Sequence, residues 1–495
     1  MKHILAIDQG TTGSRAFVFD GRGRIVASAY REFRQYYPKP GWVEHDADEI
    51  WDSCVKVVRQ ACAAAKIRPA AIAAIGITNQ RETTVIWDRK TSKPVAPAIV
   101  WQCRRTAPLC DQLRKQGLAE DLHRRTGLVL DPYFSGTKVK WLLDNVPGLR
   151  RRTQEGRVAF GTIDSWLIWK LTGGRAHATD MTNASRTLLF NIRTRSWDGT
   201  ILKRLGVPEA VLPTVQNSGS VFGKTAQGVA GLPSGIPIAG VMGDQQSALY
   251  GQGCFGPGTI KNTYGTGCFL MLNTGGRLIY SKKGLLTTLA ADEYGRPIYA
   301  LEGAVFIAGA VMQWLRDELR IIRTSAESEK FIKGLRDTQG VYFVPAFTGL
   351  GAPYWNAQAR GLITGLTRGS GATHIVRSAL ESIAYQTKDV FDLMQTESAQ
   401  PIRELKVDGG ACRNDFLMQF QADLLDCRIV RPTVVESTAQ GAAFLAGVTA
   451  GLWRGKKDLL KFLKAERIFR PRMKSSQRNS LYRGWQKAVQ RTLVA

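Results

Sequence analysis

Ile7-Asp8-Gln9-Gly10-Thr11-Thr12-Gly13-Ser14 is the stretch on which the reading of this chain turns. The apolar run His3-Ile4-Leu5-Ala6-Ile7 precedes it, and Ala16-Phe17-Val18-Phe19 follows. Past the polar Asp20-Gly21-Arg22-Gly23 comes a third apolar run, Ile25-Val26-Ala27. Short apolar runs separated by Gly/Thr and Asp/Gly turns predict a β-meander over residues 2–8, 15–20 and 24–33. A carboxylate at the end of the first strand gives Mg²⁺ an oxygen ligand. The glycines and hydroxyls of the turn offer phosphate oxygens a nest of N–H and O–H donors. Taken alone, such a turn is more often an ordinary polar hairpin tip, so its meaning rests on what matches it elsewhere.

At 495 residues the chain exceeds one hydrophobic core, and two domains with insertions are expected. Hydrophobic residues make up 44% and charged residues 22%, as in soluble globular proteins. The start has no secretory pattern, and eight scattered cysteines form no CxxC pair. Both point to reduced thiols in the cytoplasm rather than disulfides or zinc. The formal net charge is +27, and residues 454–495 hold thirteen basic against two acidic residues. Leu481, Trp485, Ala488 and Val489 lie there at helical spacing, which predicts an amphipathic helix docked on the body. No nucleic-acid-binding motif accompanies the charge, so a solvated basic face is the expected reading. No nucleic acid and no stable membrane insertion are expected.

Strand-like and helical segments alternate, which gives an α/β class. A helix is expected over 48–65 behind an Asp46 cap, and buried strands over 72–78 and 236–242. The strands end in Asn79-Gln80-Arg81-Glu82 and Gly243-Asp244-Gln245-Gln246. Ile260-Lys261-Asn262-Thr263, Tyr264-Gly265-Thr266-Gly267 and Cys268-Phe269-Leu270-Met271-Leu272 repeat the strand–Gly/Thr turn–strand pattern of the N-terminus. Two such hairpins suggest two related domains, 1–250 and 251–495. The Gly/Ala-rich stretch 437–453 reads as a tightly packed buried helix.

Two nucleotide motifs fail on inspection. Gly223-Lys224-Thr225 lacks the first glycine of a P-loop, because position 218 is Ser218. The GxGxxG at 251–256 precedes a strand instead of opening a helix. Asp244 ends a buried strand, where open α/β sheets place ligands. It suits a carboxylate that takes a hydroxyl proton during phosphoryl transfer, or a simple helix cap. Arg81 and Glu82 offer donor and acceptor side by side, as a small polyol needs, or form a surface ion pair. Asp408-Gly409-Gly410-Ala411 with Asn414 would admit a flat base or ribose close to the backbone, or turn tightly into a helix over 414–425. Residues 303–310, small at helix-contact spacing, are expected to pack closely.

These pieces together resemble the FGGY carbohydrate kinases along the whole chain, most closely the members acting on glycerol. Tyr133-Phe134-Ser135-Gly136-Thr137-Lys138-Val139-Lys140-Trp141 and Gly361-Leu362-Ile363-Thr364-Gly365-Leu366 carry the family pattern. Gly76-Ile77-Thr78-Asn79-Gln80-Arg81-Glu82-Thr83, Trp101-Gln102-Cys103-Arg104-Arg105-Thr106, Gly243-Asp244-Gln245-Gln246 and Tyr264-Gly265-Thr266-Gly267-Cys268-Phe269 carry the glycerol-specific one. The resemblance implies two RNase H-like, actin-like ATPase domains flanking a central cleft. It implies ATP as co-substrate with Mg²⁺, glycerol as acceptor, sn-glycerol 3-phosphate as product, and a homo-oligomer, dimer or tetramer. On the family pattern Asp8 would hold Mg²⁺. Thr11, Thr12, Gly13, Arg15 and Thr266 would surround the phosphates. Gly309, Gln313, Gly410 and Asn414 would line the nucleotide. Arg81, Glu82, Tyr133, Asp244 and Gln245 would bond glycerol, with Trp101 and Phe269 against its carbons and Asp244 as general base.

Bacterial relatives can carry a basic residue in the loop before Ile236, where a sugar bisphosphate inhibits. The uncharged Gly231-Leu232-Pro233-Ser234-Gly235 argues against that inhibition here. Two other readings compete: a kinase for a larger sugar, and a nucleotide-driven interaction protein with the same cleft. The first is separated by a substrate panel, the second by ATP turnover indifferent to glycerol.

Overall fold

The computed structural model describes residues 2–356 and 358–494 and contains two large mixed sheets. The first opens with the antiparallel meander β1 (His3–Gln9), β2 (Gly13–Phe19) and β3 (Ile25–Glu32). β4 (Ile72–Asn79) runs parallel to β1. After β5 (Gly223–Lys224), β6 (Pro237–Gly243) runs parallel to β4, and the order is β5-β6-β4-β1-β2-β3. Helix α1 (Ala47–Ala64) covers this sheet and buries Ile50, Cys54, Val57, Val58 and Ala61. The Asp46 carboxylate accepts from the amides of Asp48 and Glu49 at its start, as an N-cap does.

Helix α2 (Asp244–Gly251) leads to the second sheet, which repeats the plan. Its strands are β7 (Ile260–Tyr264), β8 (Cys268–Gly275), β9 (Leu286–Ala290), β10 (Ile298–Val305), β11 (Glu404–Asp408), β12 (Arg428–Pro432) and β13 (Ala465–Phe469). Their order is β9-β10-β8-β7-β11-β12-β13. A hairpin, β7–β8, again sets its first strand parallel to a later one, β11. Around the sheet lie α3 (Gly309–Asp317), α4 (Ala372–Ser398) and α5 (Asp415–Leu425). The loops after β1, β4, β6, β7 and β11 all leave the carboxyl ends of parallel strands, where such sheets gather ligands.

Two expectations need correction. Residues 303–310 are not one helix: Gly303 to Val305 finish β10, and α3 begins at Gly309. The small residues do serve close packing, since a Cβ on Gly303 would lie 2.4 Å from Cγ1 of Val390 on α4. Nor does everything past residue 251 stay with the second sheet. Helix α6 (Ser437–Thr449) lies on the first one, and its Ala439, Ala442 and Phe444 share a core with Ile4, Phe17 and Ala239. Glycines make the approach possible. A Cβ on Gly76 of β4 would lie 2.2 Å from the Ala442 carbonyl oxygen, and one on Gly441 would lie 2.0 Å from that of Ser247 on α2.

The basic tail forms helix α7 (Ser475–Val494), docked by Trp485, Ala488 and Val489. Trp485 stacks on Tyr385 at 5.3 Å and donates its Nε1–H to Asp389 at 2.9 Å. Arg483, Lys487 and Arg491 remain on the exposed side. Among the described residues no helix is long and apolar enough to cross a membrane.

Gly441→Ala forces a methyl group into the α2–α6 contact. The expected result is a loss of about 1–3 kcal/mol or more, read by thermal melting. Gly199→Ala, whose Cβ meets nothing within 4 Å, is the neutral control; equal melting points for the two variants would refute the packing argument.

Candidate active site

Asp8, in register with Arg15 across the first hairpin and with Thr78 on β4, sits 8% exposed near the carboxyl end of the central strand β1. Its Oδ2 accepts from the Thr438 hydroxyl at 2.9 Å, so α6 reaches the turn through its second residue. Burial pushes the Asp8 carboxyl up to about 6, Arg15 and Thr438 oppose this, and Asp244 and Glu436 add repulsion. A cation beside Asp8 would relieve that strain. Among the described residues no group of three His, Cys, Asp or Glu forms a ready metal cage. Mg²⁺ commonly binds through one or two carboxylates, its waters and substrate phosphates, so Asp8 with its hydroxyl neighbours fits that ion. Thr12 is exposed, Thr11 half-buried, and Gly13 packs so close to β3 that a Cβ would meet the Tyr30 ring at 2.5 Å. Arg15 pairs with Glu436 at 2.6 Å, both about two-fifths exposed.

Arg81 and Glu82, past the end of β4, are 3% and 1% exposed, so they are no surface pair. Glu82 holds a left-handed backbone, φ 61°, which costs a non-glycine residue about 1–3 kcal/mol and marks functional sites. Its carbonyl accepts from Ser135 at 2.9 Å, which helps to hold that conformation. Four charges surround one another here. Arg81 forks onto Glu302 of β10, Nη1 to Oε2 at 2.6 Å and Nη2 to Oε1 at 2.9 Å. Its Nη1 also donates to Gln246 at 3.1 Å, and its Nε lies 3.1 Å from Asp244 Oδ1. Arg186 donates Nε–H to Glu82 at 2.6 Å and Nη2–H to Glu302 at 3.0 Å. Burial pushes Glu302 up, but the Arg186 and Arg81 guanidiniums outweigh it and hold the carboxyl at about 2. Burial dominates at Glu82, whose carboxyl stays above its ordinary range.

Asp244 is the first residue of α2 and its side chain is 31% exposed, the open member of this cluster. Its Oδ1 accepts from the Gln245 amide at 2.7 Å, and Gly243 rather than Asp244 is the cap residue. Gln245 gives its Oε1 to Lys261 of β7, a fully buried lysine that also donates to Thr263 at 2.8 Å and to the Phe269 carbonyl at 3.1 Å. Desolvation lowers the Lys261 ammonium to about 8.

An aromatic wall stands beside these groups. Trp101 meets Tyr133 edge-on at 5.5 Å and donates its Nε1–H to Thr11 at 3.0 Å, which links the wall to the turn after β1. Arg186 lies 5.5 Å from the Tyr133 ring. Phe269, half-buried, contributes its carbonyl to Lys261.

On the second sheet the Gly265-Thr266-Gly267 turn sits on the start of α3. The amides of Ala308 and Ala310 donate to Thr266 at 2.8 and 3.1 Å, and that of Gly309 donates to Gly265 at 3.0 Å. Gly409, φ 84°, presses on the same turn, where a Cβ would lie 2.4 Å from the Tyr264 carbonyl oxygen. Thr266, Gln313 and Gly410 are exposed and Gly309 is half-buried. Asn414 caps α5, its Oδ1 accepting from the Leu417 amide at 2.8 Å and its Nδ2 donating to Ser328 at 3.3 Å.

Two halves with matching hairpins and a buried donor–acceptor cluster agree with what similar proteins show. The N-terminal domain of the FGGY family of carbohydrate kinases matches residues 3–251, and its C-terminal domain matches 260–450. The chain belongs to the FGGY family of carbohydrate kinases. It is 56% identical to glycerol kinase 2 of Thermotoga maritima, covering 100% of this chain and 99% of that one. It is equally 56% identical to the glycerol kinase of Shewanella halifaxensis, over 99% of both. The structure of Plasmodium falciparum glycerol kinase with ADP superposes at a TM-score of 0.94, with 37% identity over 100% of this chain and 99% of that one. Xylulose kinase of Lactobacillus acidophilus shares the fold, at a TM-score of 0.86 and 23% identity over 98% and 96% of the two chains. The architecture is thus the two-domain FGGY fold of the actin-like ATPase type.

In this FGGY kinase the sequence reading missed Arg186, Glu302, Lys261, Glu436 and Thr438. Lys261 and Glu302 carried one usable signal, an isolated charge inside a strand-length run that is otherwise mostly uncharged. The loop 231–235 is uncharged as read. Yet Arg175 and Lys224 line, with Ser234 and Gly235, a cleft of about 340 Å³ beside it, charges a linear reading of the loop leaves out.

Arg186→Met strips a buried cation from two carboxylates and is expected to destabilise by about 3–5 kcal/mol. Arg15→Met, breaking an exposed pair, is expected to cost under about 1 kcal/mol. Denaturant titration compares them; equal losses would sink the distinction.

Proposed function

We propose that this chain transfers the γ-phosphoryl group of ATP to a terminal hydroxyl of glycerol, releasing ADP and sn-glycerol 3-phosphate, in glycerol uptake and catabolism. One observation carries the choice of acceptor: the valences that the buried cluster leaves over. Arg81 has five N–H groups; three go to Glu302 and Gln246, Nε–H faces Asp244 at 3.1 Å, and one Nη2 hydrogen is left uncommitted. Glu82 spends Oε1 on Arg186 and keeps Oε2. A donor and an acceptor side by side, next to the half-open Asp244, suit adjacent hydroxyls of a small polyol. The 56% identity to glycerol kinases over essentially the whole chain supports the same acceptor.

In this reading Tyr133 and Gln245 add hydrogen bonds to glycerol, and Trp101 and Phe269 exclude water along its carbons. Asp244 acts as general base: it accepts the proton of the attacking hydroxyl while the hydroxyl oxygen bonds phosphorus and the β–γ bridging oxygen leaves with ADP. Thr11, Thr12 and Thr266 donate hydroxyls to phosphate oxygens, and Gly13 lets the backbone approach. Arg15 exchanges the exposed Glu436 for a phosphate, a cheap exchange because such pairs contribute little. Gly309, Gln313, Gly410 and Asn414 take the nucleoside. Asp8 would hold Mg²⁺, which when bound neutralises phosphate charge. The eight cysteines are all free and buried, which fits the reducing cytoplasm.

Asp244→Asn is expected to keep ATP binding by calorimetry and to lose on the order of a thousandfold in turnover; near-normal turnover would remove Asp244 from the role of base. Coupled ADP release with Mg²⁺–ATP is expected only when glycerol is present, and equal rates without it would overturn the kinase reading.

A further inference from the structure

Arg81, Glu82, Asp244 and Gln245 follow strands of the first sheet, but the groups that orient two of them come from the second. Glu302 projects from β10 and takes both ends of the Arg81 fork. Lys261 projects from β7 and takes the Gln245 carbonyl. Each contact settles a sign. A lysine ammonium only donates, so the Gln245 amide must turn its oxygen to Lys261 and its NH₂ away. The Glu302 carboxylate only accepts, and it holds the Nη1–Nη2 edge of the guanidinium, so that Nε is the atom turned to Asp244 and Glu82. Arg81 already lies 3.1 Å from one of these and 3.9 Å from the other. Both anchors are spent on this task. Lys261 has its three hydrogens on Gln245, Thr263 and Phe269, and Glu302 is 1% exposed between two guanidiniums.

We propose that Glu302 and Lys261 are positioning residues of the polyol site, through which the second domain fixes Arg81 and Gln245 as hydrogen-bond donors to the acceptor substrate. The proposal rests on the glycerol reading above. Its consequence is that the acceptor site is complete only while the second sheet is seated against the first.

The test uses Glu302→Gln and Lys261→Met in the full-length enzyme, each near in shape and lacking the charge. At saturating Mg²⁺–ATP the glycerol KM is expected to rise on the order of tenfold to a hundredfold in each, the size of a lost charge-assisted hydrogen bond. The KM for ATP is expected to stay within about twofold, because the side chains of Glu302 and Lys261 bond Arg81, Arg186, Gln245, Thr263 and the Phe269 carbonyl and none of the nucleotide groups. Discrimination against propane-1,2-diol is expected to weaken, and Glu302→Asp to recover part of the glycerol KM. A purely structural role would instead lower melting temperature and kcat at an unchanged glycerol KM, and that result overturns the proposal. Hydrogen exchange on the unmodified enzyme supplies a second reading should a variant not fold. Glycerol alone is expected to slow exchange in 260–264 and 298–305, and no slowing there counts against the proposal. If the unmodified enzyme shows no glycerol-dependent ADP release, it is the glycerol reading that has failed.

Discussion

The structure depends on how closely helix 437–449 lies against the first sheet and helix 244–251. A normal helix contact holds axes 8–10 Å apart. Here carbonyls meet positions where even a methyl group would collide, at Gly76, Gly251 and Gly441. Dispersion over that contact replaces the large side chains that usually fill such a layer. The contact also fixes two functional groups at once. The start of helix 437–449 brings Thr438 onto Asp8, and helix 244–251 begins with Asp244. A helix from late in the chain thereby sets the spacing between the turn after Asp8 and the Asp244 carboxylate.

The second constraint is electrostatic. Two guanidiniums and two carboxylates lie buried together at Arg81, Arg186, Glu82 and Glu302. A buried ion pair is weak evidence for stability, since desolvation can exceed the attraction and apolar replacements are often as stable. The arrangement is better explained by the hydrogen-bonding valences it leaves over. The carboxylates diverge, Glu302 held at about 2 by its two cations and Glu82 raised by burial. Glu302 has both oxygens bonded to guanidiniums, while Glu82 spends only Oε1 on Arg186.

Much of this was legible in the sequence, and the reasons differ by element. The hairpins at Asp8 and Thr266, the strands ending at Asn79 and Gly243, and the docked Trp485 helix follow from local periodicity and turn chemistry. Those signals lie within a few residues of one another. Arg186, Glu302 and Lys261 were not found because their meaning is a contact across 104 to 221 residues for the first two, and across domains for Lys261. The break between strand and helix inside 303–310 was hidden for a related reason: small residues serve close packing in strands as well as helices, so spacing alone does not name the element. The place of helix 437–449 was hidden too, because its composition says that it is buried but not against which sheet.

A small polyol has little apolar surface, so hydrophobic burial supplies only a few tenths of its recognition and hydrogen bonds must supply the rest. Every hydroxyl both donates and accepts, so a site of freely turning amides and hydroxyls would bind it in many poses and orient none for in-line attack. The assignment of signs must come from groups with only one choice. Lysine and arginine can only donate and an ionised carboxylate can only accept. That is why a neutral substrate is met by so many buried charges. In the proposed acceptor site Lys261 sets Gln245, Glu302 sets Arg81, and Arg186 sets Glu82, each fixing which polar group of its partner faces a ligand. The strained backbone at Glu82, φ 61°, fits the same logic: the conformation is held by the surrounding bonds because the direction of its remaining oxygen matters more than local comfort.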